Sequence, residues 1–140
     1  MAEPNITSLS LDDIRAIEDV ITRYASGIDR RDWVLFRTCF AEGFQADYGS
    51  FGTWSDADAF TRSMQEMHAD VGDTLHRLSN IVVAAAPGGA SARTYVDAIL
   101  TGLDPADPID RGVGYYDDEL MRTAAGWKIA RRRFTAVMLT

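Results

Sequence analysis

The feature that most limits what this chain can become is a change of hydrophobic period near Gly72. Before it, apolar residues recur at three- and four-residue steps; after it, segments rich in β-branched and aromatic residues follow one another to the C-terminus. The first period lays an apolar stripe along a helix, and the second suits the pleated surface of a sheet. Helices first and antiparallel strands afterwards imply an α+β fold. The expected architecture is a cone-shaped α+β barrel with three N-terminal helices packed on a strongly curved, mainly antiparallel sheet.

The first helix is signalled by SLDD, where Ser10 and Asp13 have the spacing of a capping box. Ile14, Ile17, Ile21, Tyr24 and Ile28 then form one face, widened by Val20 and Ala25, with an end near Gly27. In DRRDWVLFRTCF, Asp29 and Asp32 repeat the cap-and-third-residue spacing, and Trp33, Phe36 and Phe40 keep helical steps, which predicts a short second helix. GFQADYGSFGTW alternates Phe44, Ala46 and Tyr48 with polar residues, then breaks at Gly49 and Gly52, as a strand entering a turn does. SDADAFTRSMQEMH restarts a helix after a Ser55 cap, with Ala59, Phe60, Met64 and Met67 as its apolar face. LHRLSNIVVAAA, ARTYVDAILTGL, GVGYYDDELMRT and GWKIARRRFTAVML read as four strands of a meander.

The chain has 140 residues, enough for a single domain over 1–140 with a real core and an internal pocket. Its formal net charge of −7 argues against a nucleic-acid surface or an anionic membrane as partner and favours a small ligand. The single cysteine, Cys39, cannot form an internal disulfide and reads as a buried structural thiol. No basic-then-apolar leader opens the sequence and no stretch reaches membrane-spanning length, so a cytoplasmic protein is expected.

The residues offer no HxH, HExxH or CxxC spacing for a metal, no Gly-rich loop between strand and helix, and no G-x-S-x-G. For an enzyme, chemistry without cofactor or metal remains. In DTLHRLSN, one strand parity carries His76, Leu78, Asn80 and Val82, and the other Leu75, Arg77, Ser79, Ile81 and Val83. Neither is cleanly apolar, so the strand lines a partly polar cavity or contains a bulge. By itself His76 reads as a satisfied structural or exposed histidine, and His68 as a C-terminal-turn histidine favoured by the helix dipole. Asp29 reads as a helix cap or as a carboxylate at a cavity mouth. Tyr24 and Tyr48 read as core filler or hydrogen-bond donors, and Arg131 to Arg133 as a solvated strand surface with alternating exposure.

The stretches IEDVITRYASGIDRRDWVLFRTCFAEGF, LHRLSNIVV and GYYDDELMRTAAGWKIARRRF resemble the SnoaL-like branch of the nuclear transport factor 2-like superfamily. That branch also holds scytalone dehydratase, bile-acid 7-alpha-dehydratase and hexachlorocyclohexane dehydrochlorinase. The resemblance implies a His-Asp dyad, matched by His76 and Asp29, with a tyrosine five residues before the aspartate, matched by Tyr24, and a looser match at Tyr48. It also implies an active-site arginine among Arg122, Arg131 and Arg132, and a homodimer or higher homo-oligomer, with dimerisation through the exposed sheet face. The reading that follows is a cofactor-independent, dehydratase-like lyase or isomerase. His76 is its general base, and Phe36, Phe44, Trp54 and Met64 line a pocket for a small hydrophobic, cyclic substrate.

Two competing readings make different demands. A non-catalytic binding or assembly subunit on the same fold requires only that Asp29 cap the second helix, with no His76–Asp29 contact. Epoxide hydrolysis requires an aspartate-arginine-aspartate cluster, for which Asp97 and Arg93 are the candidates.

Overall fold

A computed structural model describes residues 8–140. The expectation of no secretory leader falls partly on residues 1–7, outside the described residues. Helix α1, Leu11–Asp29, starts at the predicted capping box: the Ser10 side chain accepts from the Asp13 amide at 3.0 Å, and the Asp13 carboxylate accepts from the Ser10 amide at 3.2 Å. It ends two residues past Gly27, where Arg31 turns the chain at φ 55°. Gly27 lies inside the helix and serves close packing. A Cβ there would sit 2.9 Å from Phe36 Cα, so the missing side chain lets the next helix approach.

Helix α2, Trp33–Arg37, is capped by Asp32, whose carboxylate accepts from the Leu35 amide at 3.0 Å. It is shorter than its helical spacing predicts, because Phe40 opens strand β1, Phe40–Asp47. The reason is tertiary: the Cys39 carbonyl accepts from the Ile129 amide at 2.8 Å, which draws this segment into the sheet. A one-turn 3₁₀ helix, Gly49–Phe51, leads to the two-residue strand β2, Thr53–Trp54. Helix α3, Ala57–Met67, is capped by Asp56 instead of Ser55, and it buries Ala57, Phe60 and Met64. The expected apolar face is thus rotated slightly: Ala59 is half-buried and Met67 exposed.

The remaining strands are β3, Thr74–Ala86, β4, Gly89–Leu100, β5, Asp110–Thr123, and β6, Gly126–Leu139. The six-stranded sheet has the order β2-β1-β6-β5-β4-β3. The β1–β6 pairing is parallel and the others are antiparallel, so the sheet is mixed, and among the described residues its outer strands β2 and β3 do not pair to close it. Helix α1 packs on β3 and β6, and α3 on β1, with Ile17, Ile21, Phe36, Phe44, Phe60 and Ile129 among the fully buried side chains between the layers.

Two irregularities decide which side chains face the helices. On β3 the register with β4 slips between Ser79 and Val82, with Asn80 at φ 51°. Thr74, His76 and Leu78 face inward before the bulge, and Ile81 and Val83 after it, which resolves the two mixed parities of the sequence. On β6 the register with β5 slips between Glu119 and Leu120, so Ile129 pairs with Leu120 but Arg131 with Glu119. Strict alternation after Trp127 and Ile129 would turn Arg131 inward; the slip turns Arg132 inward instead. The run from Arg131 to Arg133 alternates in exposure as expected, and the slip sets the phase, with Arg132 fully buried between two exposed arginines.

Candidate active site

Asp29 ends α1 and His76 lies three positions into β3, and their side chains meet. The Asp29 carboxylate can only accept, so the His76 ring donates Nδ1–H to Oδ1 at 2.7 Å. The His76 backbone N–H donates to Oδ2 at 2.8 Å, and the Thr74 hydroxyl donates to Oδ1 at 2.9 Å. Thr74 in turn accepts from Arg31 Nη1 at 2.9 Å, while Arg31 Nη2 donates to the Gly72 carbonyl at 2.6 Å, tying the start of β3 to the end of α1. Burial pushes the Asp29 carboxyl up, but the hydrogen bonds from the His76 ring and backbone, the His76 charge and the Thr74 hydroxyl outweigh it and hold the group below its ordinary value. With Nδ1 committed, His76 Nε2 is the ring atom free for chemistry.

His76 lines a cavity of about 130 Å³ whose wall is almost entirely apolar. Tyr24 and Tyr48 form part of it, and their hydroxyls lie 2.6 Å apart in a buried hydrogen bond. Two hydroxyls hold two hydrogens and use one between them, which leaves one for a ligand or for the neighbouring Tyr116 hydroxyl. Burial drives both phenols upward from their ordinary values and keeps them protonated donors. Phe51, Met67 and Leu139 stand half-exposed at the rim.

Of the four residues expected as lining, Met64 borders this cavity. Phe36 and Phe44 have no exposed surface and stack with Phe40 and Phe60 in the aromatic core. Trp54 borders a separate surface groove and donates its indole N–H to Ser63 at 2.9 Å. Phe36 and Phe44 sit on a layer behind the site, a distinction that period alone does not carry. Ile28, Tyr116 and Phe134 line the cavity in the places that the sequence reading gave to Phe36, Phe44 and Trp54.

Arg132 lies fully buried beside the tyrosine pair. It makes a bidentate ion pair with Asp118, at 2.7 and 2.8 Å, and its Cζ lies 3.8 Å from the Tyr116 ring centre and 4.2 Å from that of Tyr24. Burial opposes its charge, but the facing Asp118 carboxylate outweighs that and holds the guanidinium far above its ordinary value. Arg132 is the member of the three candidate arginines that neighbours the site; Arg131 bonds Gln45, and Arg122 bonds Asp13 at the first helix cap. The signal for it was the slipped register of β6, which depends on pairing with distant strands.

His68, read from sequence as a helix-end histidine favoured by the dipole, is 8% exposed and borders the same cavity. Burial lowers its pKa, so the neutral form is favoured in place of the cation. Asp97 and Arg93 form no cluster of the kind epoxide hydrolysis requires: Asp97 pairs with Arg77 and Arg111, and Arg93 with Asp117, all on the solvent-exposed side of the sheet. Burial raises the Cys39 thiol to about 11, which leaves it inert in the core.

A family model described as a SnoaL-like domain matches residues 9–133. The chain belongs to the SnoaL-like family. Solved structures of similar fold cover most of this SnoaL-like domain and of themselves. A protein of Novosphingobium aromaticivorans provisionally named a scytalone dehydratase is 24% identical over 93% of this chain and 87% of its own, with a TM-score of 0.85. A provisionally named aromatic ring hydroxylase of the same organism is 26% identical over 94% of both chains, with a TM-score of 0.85. A hexachlorocyclohexane dehydrochlorinase, LinA type 2, is 14% identical over 93% of this chain and 88% of its own, with a TM-score of 0.83. These names span unlike chemistries, so the likeness speaks for the fold. No curated protein matches the SnoaL-like chain by sequence. Among the described residues, no helix is long and apolar enough to cross a membrane.

Proposed function

We propose that this SnoaL-like protein is a cofactor-independent lyase or isomerase that removes a proton from carbon in a small, hydrophobic, cyclic substrate. The observation that carries the reading is the Asp29–His76 pair: an imidazole held in one tautomer at a mostly apolar cavity, with Nε2 free. His76 Nε2 takes a proton from a carbon next to a carbonyl, and the electron pair of that C–H bond moves to the carbonyl oxygen as an enolate. Asp29 stabilises the imidazolium, as an aspartate does in the serine-protease triad. The free hydrogen of the Tyr24–Tyr48 pair is donated to the enolate oxygen, and the Arg132 charge lies beside the Tyr24 and Tyr116 rings. The enolate then expels a leaving group from the next carbon, which takes the proton from His76, or it recovers that proton at another carbon.

The test is turnover of a panel of cyclic β-hydroxy ketones, followed by the absorbance of the conjugated enone, in the native protein and in His76→Ala. The expected result is turnover by the native protein and a loss of about 10²–10⁴-fold in the variant with an unchanged fold; full activity without the imidazole would sink the reading. We further infer a cytoplasmic homodimer joined through the outer sheet face. Exposed Val82, Tyr95 and Val137 support that face as the contact, and light scattering at working concentration measures it.

A further inference from the structure

His68 closes α3 with its ring turned back on its own helix: Nδ1 lies 2.7 Å from the Met64 carbonyl, four residues earlier. A carbonyl has no hydrogen to give, so Nδ1 carries the proton and, in the neutral ring, Nε2 is a bare acceptor. That Nε2 is buried and, among the described residues, has no hydrogen-bond partner. Buried acceptors are ordinarily satisfied, so an orphan one beside a cavity marks the place of a donor from outside the chain. The ring borders the cavity with its centre 6.2 Å from that of His76, and Trp33 backs it at 5.9 Å. Burial also disfavours the charged ring, which keeps the Nε2 lone pair available.

We infer that His68 is a specificity-determining residue whose Nε2 accepts a hydrogen bond from a hydroxyl of the ligand, so that the cavity selects hydroxyl-bearing cyclic molecules over their hydroxyl-free counterparts. The inference rests on the cavity being the ligand site, as in the reading above, and concerns recognition alone. The division of labour follows from the atoms. The Tyr24–Tyr48 pair offers a hydrogen, His68 offers a lone pair, and His76, whose Nδ1 is locked by Asp29, is left for proton transfer. A ligand that meets all three carries an acceptor oxygen and a separate hydroxyl donor on one apolar ring.

Calorimetry with phenol and anisole tests this, because the two are similar in size and only phenol has a hydroxyl hydrogen. The native protein is expected to bind phenol about ten-fold more tightly, the worth of one well-made hydrogen bond to a buried group. In His68→Leu the ratio is expected to fall to about one, and His68→Gln, which restores an acceptor oxygen, recovers part of it. On the unaltered protein labelled with ¹⁵N, phenol and not anisole should move the His68 Nε2 resonance. Equal affinities in the native protein, a phenol preference that survives in His68→Leu, or an Nε2 resonance unmoved by phenol because a buried water already occupies it overturns the inference. None of these readouts involves turnover, and His76→Ala is expected to keep the preference, so failure of proton abstraction and failure of His68 recognition give different results.

Discussion

Asp29 holds His76 twice, once through the ring at 2.7 Å and once through the backbone N–H of the same residue at 2.8 Å. The second bond fixes where the strand begins relative to the end of α1, and the first fixes how the ring is turned. One carboxylate therefore sets both the position and the tautomer of the proposed base, and changing it separates stability from chemistry.

Asp29→Asn keeps the shape of the side chain but can present an N–H to the ring, which favours the wrong tautomer. Turnover is expected to fall by about 10³–10⁴-fold, the order seen when a triad aspartate is changed in this way. The fold should persist by circular dichroism. Steady-state kinetics checks it: a variant within a few-fold of native activity would remove Asp29 from the mechanism.

The same carboxyl makes acid stability predictable in sign. Its folded value is depressed below the ordinary 3.8, so its contribution to stability is present above that value and is lost as pH falls through the lowered one. The stability gap between the native protein and Asp29→Asn is thus expected to narrow as pH falls through and below the ordinary carboxylate value of 3.8. Urea unfolding at several pH values measures it; a gap that widened on acidification would contradict the assigned direction.

Much of this arrangement was legible before any coordinates. The period change at Gly72, the Ser10–Asp13 box and the four late strands follow from local pattern, and local pattern is what a single sequence carries. Asp29 could be told from a mere cap only when Asp32 was seen to cap α2. Arg132 could not be singled out among the three arginines, and His68 was misjudged, for a shared reason. The inward turn of Arg132 comes from a register slip against strands far away in sequence, and the burial of His68 comes from Trp33 and the start of β3 closing over a helix end. Phe36 and Phe44 were assigned to the pocket because an aromatic residue looks alike to periodicity whether it lies one layer or two from a cavity.

Arg132 and Asp118 are a pair in which neither side chain reaches solvent. Arg132→Met leaves Asp118 buried and uncompensated, and a loss of about 3–5 kcal/mol in unfolding free energy is expected. Adding Asp118→Leu removes the stranded charge and should recover most of that loss. Chemical denaturation of the two single variants and the double variant gives the comparison; additive losses would show that the two side chains do not act as a pair.

Gly27→Ala sets two effects against each other. Alanine gains about 1 kcal/mol of helix propensity, but its Cβ meets backbone and Cβ atoms of Phe36 at 2.9 Å, and overpacking costs about 1–3 kcal/mol. Because the obstacle includes Phe36 Cα and cannot swing away like the tip of a side chain, a net loss of stability is expected. Thermal melting checks the sign, and a stabilised variant would show that α2 shifts freely.

The parallel pairing of β1 with β6 also dictates the order in which the molecule is made. Phe40 lies opposite Ile129, so the helical half meets its central sheet partner only when nearly all of the chain has been synthesised. At ordinary elongation rates that interval is on the order of 10 seconds, during which the apolar stripe of α1 has no β6 to cover it. Contacts so distant in sequence also slow folding of the finished chain. A nascent chain halted before Gly126 lacks both Ile129 and Arg132, and it would reach solution with the β1 and β5 edges unpaired and part of the α1 stripe uncovered, in need of a chaperone.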